Sequence, residues 1–379
     1  VYSLYLASYA GGSPTWATSF GTAYDIAGNG NGLLPSGFIA TQSGNDDLKW
    51  ETTTQTNIGL DFGLFKQKLS GSVDYYIKKT DDILVLPPYL GVIGEGGNRW
   101  VNGASMQNEG WEFTLGYHDE TSFGLKYDIS ANVSTNKNKI TKLPDEVRNN
   151  YGGDGLNDNI LGRPINSMYG YVTDGLFKSQ DEVDNSATQE GKGLGRIRYK
   201  DLNGDGVITD KDRTWIGNPN PGLLYGFNLG LGYKNWDFTT FWEGASDVDV
   251  INNTKYQTDF WSVDDVGSNK GTRLLNAWSL DNPNSTIPAL TTVDRNAESR
   301  FSTYYVENGN YLKLRVLQLG YSLPKDLLKK MNFDSFRFYI SGQNLLIIDA
   351  KNFTGVDPEN AGFGYPQPTT FTAGLNFTL

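Results

Sequence analysis

The sequence contains no cysteine and a single histidine, His118, among its 379 residues. Without cysteine there is no disulfide framework, no thiol nucleophile and no cysteine metal site. One histidine, beside a predicted short turn, leaves little material for a Ser-His-Asp triad or a histidine metal centre, and we interpret His118 as a surface residue. Basic residues are also few: 32 Lys and Arg against 43 Asp and Glu give a formal net charge of -11, which argues against a nucleic-acid partner.

Long hydrophobic runs are absent as well. No stretch approaches the ~18 consecutive apolar residues that a membrane-spanning helix needs. The hydrophobic residues are instead distributed by alternation: from Trp50 to Leu64 every even position is apolar or Thr, and every odd position is polar, acidic or Gly. Because successive side chains of a strand point to opposite faces, this segment is predicted to be a strand with one apolar face. At roughly 3.3 Å per residue, it is long enough to cross a bilayer even when tilted.

The same alternation recurs along the chain and predicts about ten strands. After Trp50 to Leu64, the predicted strands include Leu69 to Ile77, Trp111 to Tyr117, Tyr127 to Val133, Tyr225 to Tyr233, Trp236 to Trp242, Leu312 to Leu323, Phe336 to Ile340 and Phe371 to Leu379. A further strand is predicted at the start, around Tyr2 to Ala10. Val316 and Leu317 are adjacent apolar residues within an otherwise alternating segment, which indicates a β-bulge there.

Short and long connections alternate between these strands. The short ones lie near Lys66-Gln67, Asp119-Glu120-Thr121 and Lys234-Asn235, and the long ones cover roughly 11–48, 87–106, 138–220, 246–310 and 347–367. Outer-membrane barrels have short periplasmic turns and long extracellular loops, whereas a soluble sandwich has no reason to sort its loops in this way. Residues 1–379 are therefore predicted to be all-β, part of a transmembrane antiparallel up-and-down β-barrel, multi-pass in the outer membrane. A sandwich with an aromatic core is the alternative.

The two ends of the chain suit an exported barrel. The first residues, Val1 to Leu6, already resemble a strand and lack the basic region and cleavage site of an export signal, so we expect a mature form or a fragment. At the other end, Phe371, Ala373, Leu375, Phe377 and Leu379 alternate with polar residues or Gly. A terminal amphipathic strand with an aromatic residue third from the end resembles the signal that the outer-membrane assembly machinery reads.

Several blocks of sequence resemble the late barrel of the SusC/RagA family of TonB-dependent outer-membrane transporters. They occur in the family's order and span nearly the whole chain: Leu48-Lys49-Trp50-Glu51, Asn57-Ile58-Gly59-Leu60-Asp61-Phe62, Asp74 to Leu84, Asn108-Glu109-Gly110-Trp111-Glu112, Tyr199 to Gly206, Ile216 to Pro221, Asn310 to Arg315 and Ser341-Gly342-Gln343-Asn344-Leu345. Any one block is weak evidence, but together they are specific.

The resemblance implies a 22-stranded barrel with a plug in its lumen, a TonB box that faces the periplasm and a SusD-like surface lipoprotein that acts as a lid. About ten strands cannot close so wide a barrel. We therefore expect the C-terminal portion of the barrel, with the TonB complex contacted through the preceding part, the remainder of the barrel and plug as partners, and outer-membrane lipid around it. The implied activity is import of oligomeric nutrients, with glycans the first candidate and peptides the second, and no catalysis.

Two other classes of protein remain as alternatives. An outer-membrane enzyme barrel is disfavoured by the single His and the missing Cys. A secreted calcium-binding adhesin is disfavoured by its need for more than one calcium loop and by the sorted loop lengths. Acidic pairs such as Asp81-Asp82 and Asp264-Asp265 have no fixed separation that would indicate a glycosidase. Gly91, Gly94, Gly96 and Gly97 lack the strand and helix of a phosphate-binding fingerprint.

One motif predicts a metal ion. In residues 201–212, side-chain or backbone oxygens occupy loop positions one, three, five, seven and twelve of a calcium loop, with Gly206 at position six for the sharp turn. The predicted ligands are Asp201, Asn203, Asp205, the Val207 carbonyl and Asp212. Position twelve is Asp where an EF-hand has Glu, and the flanking sequence does not predict two helices. A structural Ca²⁺ is one interpretation and an acidic Gly-rich turn is the other.

Aromatic residues are frequent in the predicted long loops. They include Tyr151, Tyr169, Tyr171, Trp261, Trp278, Tyr304, Tyr305, Phe363 and Tyr365. Such rings can stack on sugars or pack against a lid protein, and they can equally pack on each other, so the sequence leaves both interpretations open.

Overall fold

The computed structural model describes residues 15–19, 37–42, 45–87, 99–145, 159–260, 269–291, 296–362 and 364–378. The strands within these residues are β1 (Thr15–Ser19), β2 (Gly37–Gln42), β3 (Thr52–Leu64), β4 (Leu69–Val85), β5 (Val101–Glu120), β6 (Leu125–Thr135), β7 (Lys137–Lys142), β8 (Met168–Tyr171), β9 (Thr173–Leu176), β10 (Ile197–Tyr199), β11 (Arg213–Gly217), β12 (Leu223–Tyr233), β13 (Trp236–Ser246), β14 (Asp249–Ile251), β15 (Val306–Asn308), β16 (Tyr311–Ser322), β17 (Ser335–Asp349) and β18 (Thr370–Thr378). Short helices are α1 (Gln180–Asn185), α2 (Asn253–Thr258) and α3 (Lys325–Met331), and 3₁₀ turns lie at Asp210–Asp212, Thr272–Asn276 and Pro358–Asn360. No helix in the described ranges is long and apolar enough to cross a membrane.

A single antiparallel sheet dominates the described residues. Its strands follow one another in the order β18-β17-β16-β13-β12-β6-β5-β4-β3, and β7 pairs with β5 beyond the part of β5 that pairs with β6. Of the remaining strands, β1 and β2 precede β3, and the others lie within connections of this sheet. The order in space therefore follows the order in the chain, which is the up-and-down arrangement. Every strand predicted after Trp50 is present, and the predicted strand at Tyr2 to Ala10 lies outside the described residues.

Three of the connections at one end of the sheet are tight turns, as predicted. Lys234 and Asn235 alone join β12 to β13, and Lys234 has a positive φ of 54°, as two-residue hairpin turns require to match the twist of their strands. In the turn between β3 and β4, Phe65, Lys66 and Gln67 all have positive φ. The turn between β5 and β6 uses Gly124, with a φ of 87°.

The fourth connection at this end was not predicted. Between β16 and β17 the chain forms α3, which begins after Pro324 and ends at Asn332, a residue in the left-handed conformation that commonly terminates helices. Leu328 is buried at 8% exposure, and the lysines of the helix are exposed. Among the side chains of this helix that the structure describes, Leu328 alone is buried, and one such residue is too weak a periodicity for the sequence to indicate.

The bulge in β16 is confirmed. Val316 pairs with Phe241 of β13 and Leu314 pairs with Trp242, so Arg315 is the additional residue. The pairing with β17 shifts at the same place. A single inserted residue returns Leu317 and Leu319 to the face occupied by Leu312 and Leu314.

The two faces of the sheet differ in chemistry. We call one the apolar face; it carries Ile58, Leu60, Phe113, Leu229, Phe338, Ile340 and Phe371. The polar face carries Asn57, Asp61, Ser72, Asn132 and Asn228. All of these apolar side chains except the half-buried Leu229 are exposed, with values of 71% for Ile58, 66% for Leu60 and 78% for Phe371. A sandwich would bury this face against a second sheet, so the exposure favours the barrel, in which lipid covers it.

The long connections lie at the other end of the sheet and contain structure of their own. After β6, strand β8 pairs with β11 and β9 pairs with β10; after β13, strand β14 pairs with β15. In the segment before β3, β1 pairs with β2. The predicted range 87–106 is too long at its C-terminal side, because β5 begins at Val101 and pairs there with the end of β4. The predicted range 138–220 begins too early, because β7 (Lys137–Lys142) pairs with β5 in the sheet. The last long connection runs from 350 to 369.

Candidate functional site

The candidate site consists of the polar face and the long connections at one end of the sheet. We call residues 159–222, 247–260, 269–291 and 296–310 the loop assembly; they belong to the connections after β6 and β13, and exclude β7 and the residues next to it. Its hydrophobic core takes residues from both connections: Tyr171, Leu176, Ile197, Tyr199 and Ile208 from the first, and Phe260, Trp278 and Tyr305 from the second. Because these side chains bury one another, the two connections fold as a unit.

A buried polar network joins the two connections. The amide of Ile197 donates to Glu298 Oε1 at 2.9 Å, and its carbonyl accepts from Asn296 Nδ2 at 2.8 Å and from Gln189 Nε2 at 2.9 Å. Arg196 Nη1 lies 2.8 Å from Glu298 Oε2, and the Glu298 side chain is only 1% exposed. Satisfied buried polar groups of this kind fix one arrangement of the backbone, because an unpaired one is costly.

A second network fastens the last long connection to the loop assembly. Lys255 Nζ lies 2.7 Å from Glu307 Oε1, and Glu307 Oε2 accepts from the amide of Thr354 at 2.9 Å. Burial alone would raise the pKa of Glu307, but hydrogen bonds from Lys255 and Thr354 hold it below the usual 4.5. The carboxyl of Glu307 is therefore ionised at neutral pH and ties together three segments that are distant in sequence.

The pKa of Asp259 is shifted in the opposite direction to that of Glu307. Its Oδ2 accepts from the Tyr304 hydroxyl at 2.6 Å, and its Oδ1 lies 3.3 Å from Arg273 Nε. Burial raises the pKa of Asp259 above the usual 3.8, and the hydrogen bond from Tyr304 and the charge of Arg273 offset only part of that increase. Burial also raises the pKa of Tyr304 well above its usual 10.0, so the hydroxyl remains a donor.

Charged side chains fix the connection 350–369 on the polar face. Lys313 of β16 is 1% exposed, and its Nζ lies 2.7 Å from Asp357 Oδ1 and 2.6 Å from Glu359 Oε2. The bulged Arg315 contacts Glu359 at 2.6 Å and also pairs with Glu243 of β13. These residues were not singled out from the sequence. The sequence does contain a signal that could have found them. Lys313 and Arg315 alternate with apolar residues of β16, so their charged side chains are expected on the face opposite the apolar face.

The predicted calcium loop adopts a compact turn. Asp201 accepts from the amides of Gly204 at 2.7 Å and Gly206 at 2.8 Å, and the hydrogen bond from Gly206 is the main reason that the pKa of Asp201 lies below its usual value. Asn203 Oδ1 accepts from the amide of Asp205, and Asp205 Oδ1 accepts from that of Val207, each at 2.9 Å. Gly204 and Gly206 both have positive φ.

The acid at the end of this loop is used differently from the other two. Asp212 is fully buried, and its oxygens accept from the amides of Leu202 at 2.9 Å and Thr209 at 2.7 Å. Asp212 therefore holds the two ends of the loop together. Within the described ranges, no group of three or more His, Cys, Asp or Glu side chains is arranged to hold a metal. The donors at positions one, three and five have the types that Ca²⁺ takes, and a carboxylate oxygen with one amide bond keeps a second lone pair.

Most of the described loop aromatics pack on each other. Tyr171, Trp278 and Tyr305 lie in the core of the loop assembly, and the rings of Tyr304 and Tyr305 are 5.3 Å apart. Tyr169 packs on Trp215 at 4.9 Å. Tyr365, in contrast, is 96% exposed. Tyr151, Trp261 and Phe363 lie outside the described residues.

Among the residues that the structure describes, the other candidates from the sequence do not form a cluster of catalytic or ligand-binding groups. His118 is an exposed residue of β5, near the turn between β3 and β4, where its amide donates to the carbonyl of Lys68 at 2.9 Å. Asp82 lies at an irregularity in the pairing of β4 with β5. The glycines at 91, 94, 96 and 97 and the pair Asp264-Asp265 lie outside the described residues.

Comparison with known proteins gives a consistent result. The family described as TonB dependent receptor-like, beta-barrel, matches residues 5–264. TonB-dependent receptor P3 of Formosa agariphila is 33% identical and aligns with 94% of this chain, and TonB-dependent receptor SusC of Bacteroides thetaiotaomicron is 31% identical and aligns with 88%. Among solved structures, that of the RagAB peptide transporter superposes with a TM-score of 0.75 at 26% identity, over 97% of this chain and 38% of that one.

The chain spans 37% of the length of receptor P3 and 32% of that of SusC. The antiparallel sheet is accordingly part of a barrel and not a closed one. The apolar outer face, the up-and-down order and the family match agree with the resemblance to the SusC/RagA group. This chain belongs to the TonB-dependent receptor β-barrel family, whose members lie in the outer membrane.

Proposed function

We propose that this chain forms the C-terminal portion of the barrel of a SusC/RagA-type importer that moves oligomeric nutrients across the outer membrane. The observation that carries the proposal is the exposed apolar face of a sheet whose opposite face is polar. A lipid-facing surface of this kind encloses a polar lumen when the remaining strands complete the barrel. The activity assigned is transport, without bond chemistry.

The cargo that we propose is a glycan oligomer, with a peptide as the second candidate. The polar face presents hydroxyl, amide and small residues, including Ser72, Ser130, Asn132 and Asn228, and these groups hydrogen-bond neutral polyhydroxyl compounds. The similarity to the structure of the RagAB peptide transporter favours the second candidate.

Uptake by cells tests the proposal. A strain that lacks the full-length gene should lose uptake of fluorescent oligosaccharides, or of fluorescent peptides if the second candidate is correct, and the wild-type gene should restore it. Asn228→Trp narrows the lumen and should reduce uptake. Leu229→Trp places the same side chain on the apolar face and serves as the matched control. Unchanged uptake in the deletion strain, for both classes of cargo, would sink the proposal.

The partners follow from the same assignment. We propose that a SusD-like lipoprotein covers the loop assembly and that the TonB complex acts through the part of the protein that precedes this chain. Support for the first comes from three leucines on one segment of the loop assembly, Leu275, Leu280 and Leu290, which are 88%, 81% and 56% exposed. Large apolar side chains clustered in one exposed segment are typical of protein contact surfaces. The long loops are then extracellular and the short turns periplasmic.

We also propose that the loop 201–212 binds one structural Ca²⁺. Asp201, Asn203, Asp205 and the Val207 carbonyl supply hard oxygen donors in the calcium-loop order, and Asp212 closes the loop. The bound ion would offset the repulsion between the carboxylates of an exposed acidic turn. Since Ile208 belongs to the core of the loop assembly, the position of this turn is coupled to that core.

A protease assay with and without chelator tests the calcium site. Asp201→Ala/Asp205→Ala should leave the strands inserted but make the loop 201–212 sensitive to protease, to the same degree as wild-type protein treated with chelator. Asp181→Ala/Asp184→Ala, two exposed acids of α1, is the matched control and should behave as wild type. If chelator does not change the cleavage of wild-type protein, the acidic-turn interpretation stands.

A further inference from the structure

Two furrows adjoin at the end of the sheet where the short connections lie, one on the apolar face and one between two of these connections. The first has a volume of about 420 Å³ and is lined by apolar side chains of β13, β16, β17 and the residue after β16, including Trp236, Leu319, Leu323 and Phe338. The second, of about 520 Å³, shares Trp236 and Leu323 with the first and adds Lys234 and Lys325. The apolar furrow therefore adjoins a furrow that carries two lysines, which we call the basic furrow.

The apolar furrow has a fixed floor. Trp236, Tyr321 and Phe338 are paired across three neighbouring strands, and Leu319 and Ile340 form the next row. The rings of Trp236 and Tyr321 are 4.7 Å apart. Trp236 is 51% exposed, Phe338 50% and Ile340 56%. Aromatic residues next to an aliphatic row are what the boundary between acyl chains and head groups favours.

The basic furrow is held in place by contacts between two connections. Asn235 Nδ2 donates to the carbonyl of Ser322 at 2.6 Å, and the amide of Ser322 donates to the carbonyl of Asn235 at 2.9 Å. These bonds fix the turn that carries Lys234 beside the start of α3, which carries Lys325. Both lysines are exposed.

The local charge is positive in a chain whose net charge is -11. Two acids also line the basic furrow, Asp237 and Asp334. Asp237 is paired with Arg337, whose Nε lies 3.0 Å from its Oδ2, so Lys234 and Lys325 face the one remaining acid, Asp334. The helix α3 adds two exposed lysines, Lys329 and Lys330, and one exposed acid, Asp326, so basic side chains still outnumber the unpaired acids at this end of the sheet.

We propose that the two furrows bind one anionic phospholipid of the leaflet that the short turns reach. Its acyl chains lie in the apolar furrow, and its phosphate lies between Lys234 and Lys325. Lysine ammonium groups recognise phosphate as point charges, and basic residues at the membrane boundary attract anionic lipid. The inference rests on the proposed function in one respect, that the apolar face meets lipid.

Retention of lipid by the purified full-length protein tests this site. The protein is equilibrated in mild detergent with equal amounts of phosphatidylglycerol and phosphatidylcholine, and native mass spectrometry then counts the lipids that remain bound. Wild-type protein should retain phosphatidylglycerol preferentially. Lys234→Gln/Lys325→Gln should lower that retention roughly thirtyfold, since two basic contacts with the head group are lost.

The matched control is Lys66→Gln/Lys126→Gln. It removes the same charge at the same end of the sheet, from a different furrow that Asp119, Glu120 and Asp128 also line, and it should retain lipid as wild type does. Equal loss in both variants would show a general charge effect and would overturn the site, as would unchanged retention in Lys234→Gln/Lys325→Gln.

Photocrosslinking supplies a second readout that locates the acyl chains. Phosphatidylglycerol with a diazirine in its acyl chain should label the peptides that contain Leu319, Tyr321 or Phe338 in wild-type protein, and labelling only elsewhere on the apolar face would overturn the site. A protein that inserts and transports but retains no phosphatidylglycerol rejects only this inference. A protein that fails to enter bilayers rejects the proposed function itself.

Discussion

The sheet and the loop assembly use the same kinds of side chain in opposite ways. In the sheet, large apolar residues such as Leu60 and Phe371 are exposed on the outside. In the loop assembly, Ile197 and Phe177 have no exposed surface, and charged residues such as Glu298 are buried in pairs. The difference shows which solvent each region meets: lipid stabilises an apolar exterior held by backbone pairing, whereas water requires an apolar interior.

The comparison predicts its largest effect at a buried ion pair of the loop assembly. Glu298→Gln leaves Arg196 without its charged partner in a buried setting, which should cost roughly 3 to 5 kcal/mol of local stability. Amide hydrogen exchange at Ile197 and Tyr199 would measure the change. Asp174→Asn is the matched control, because the Asp174 side chain that pairs with Arg198 is 53% exposed, and it should be nearly neutral. Similar effects for both variants would contradict the buried network.

A slightly smaller effect is expected on the apolar face. Leu60→Arg should destabilise the inserted barrel by about 2 to 4 kcal/mol, whereas Arg at the neighbouring Asp61 on the polar face should be far milder. Reversible unfolding of the full-length protein in lipid vesicles, or the amount that assembles in the outer membrane, would measure the difference. Equal losses at the two positions would refute the assignment of the faces.

These two regions were not equally predictable from the sequence. In the sheet, a period of two positions decides which face each residue occupies, so β3 to β6, β12, β13, β16 to β18 and the bulge in β16 could be predicted from local pattern. The short strand β7, which pairs with β5, was missed because it lies inside the predicted long connection 138–220. In the loop assembly, Arg196 and Glu298 are 102 positions apart, and no local period indicates that they meet. The helix α3 was missed because Leu328 is the one buried residue among its described side chains, which leaves no helical period to recognise.

The residues of the candidate site were likewise only partly predictable from the sequence. The order of oxygen donors in 201–212 is a local signal, and the calcium site remains a prediction. The attachment of Glu359 to Lys313 and Arg315 depends on how a connection of twenty residues, 350–369, folds back. The pairing of Lys255 with Glu307 likewise depends on tertiary structure. Such long-range pairs can be identified only from the folded structure.

The smallest expected effect is that of low pH, which should weaken the loop assembly and leave the sheet unchanged. Because the pKa of Glu307 is lower in the folded protein than its usual 4.5, its contribution to stability is present above about pH 4.5 and is lost as the pH falls through the folded value. Asp259, with its raised pKa, contributes in the opposite sense, losing stability as the pH rises above 3.8.

Proteolysis of the loop assembly between pH 5 and pH 3 (roughly the range over which such a carboxylate titrates) would measure the effect. Protection should decrease on acidification in wild-type protein, and Glu307→Gln should remove most of that pH dependence. Glu190→Gln, at an exposed position, should keep it. The strands of the sheet should remain resistant throughout. A Glu307→Gln variant that retains the full pH dependence would contradict the role of this carboxyl.

The central claim is that the long connections and the short turns lie on opposite sides of the outer membrane. Since the chain has no cysteine, single cysteines can be placed in it without competing thiols from this region. Asn185→Cys in the loop assembly should react with a membrane-impermeant thiol reagent on intact cells, and Gln67→Cys in the turn between β3 and β4 should react only after the outer membrane is permeabilised. Labelling of Gln67→Cys but not Asn185→Cys on intact cells would contradict the account.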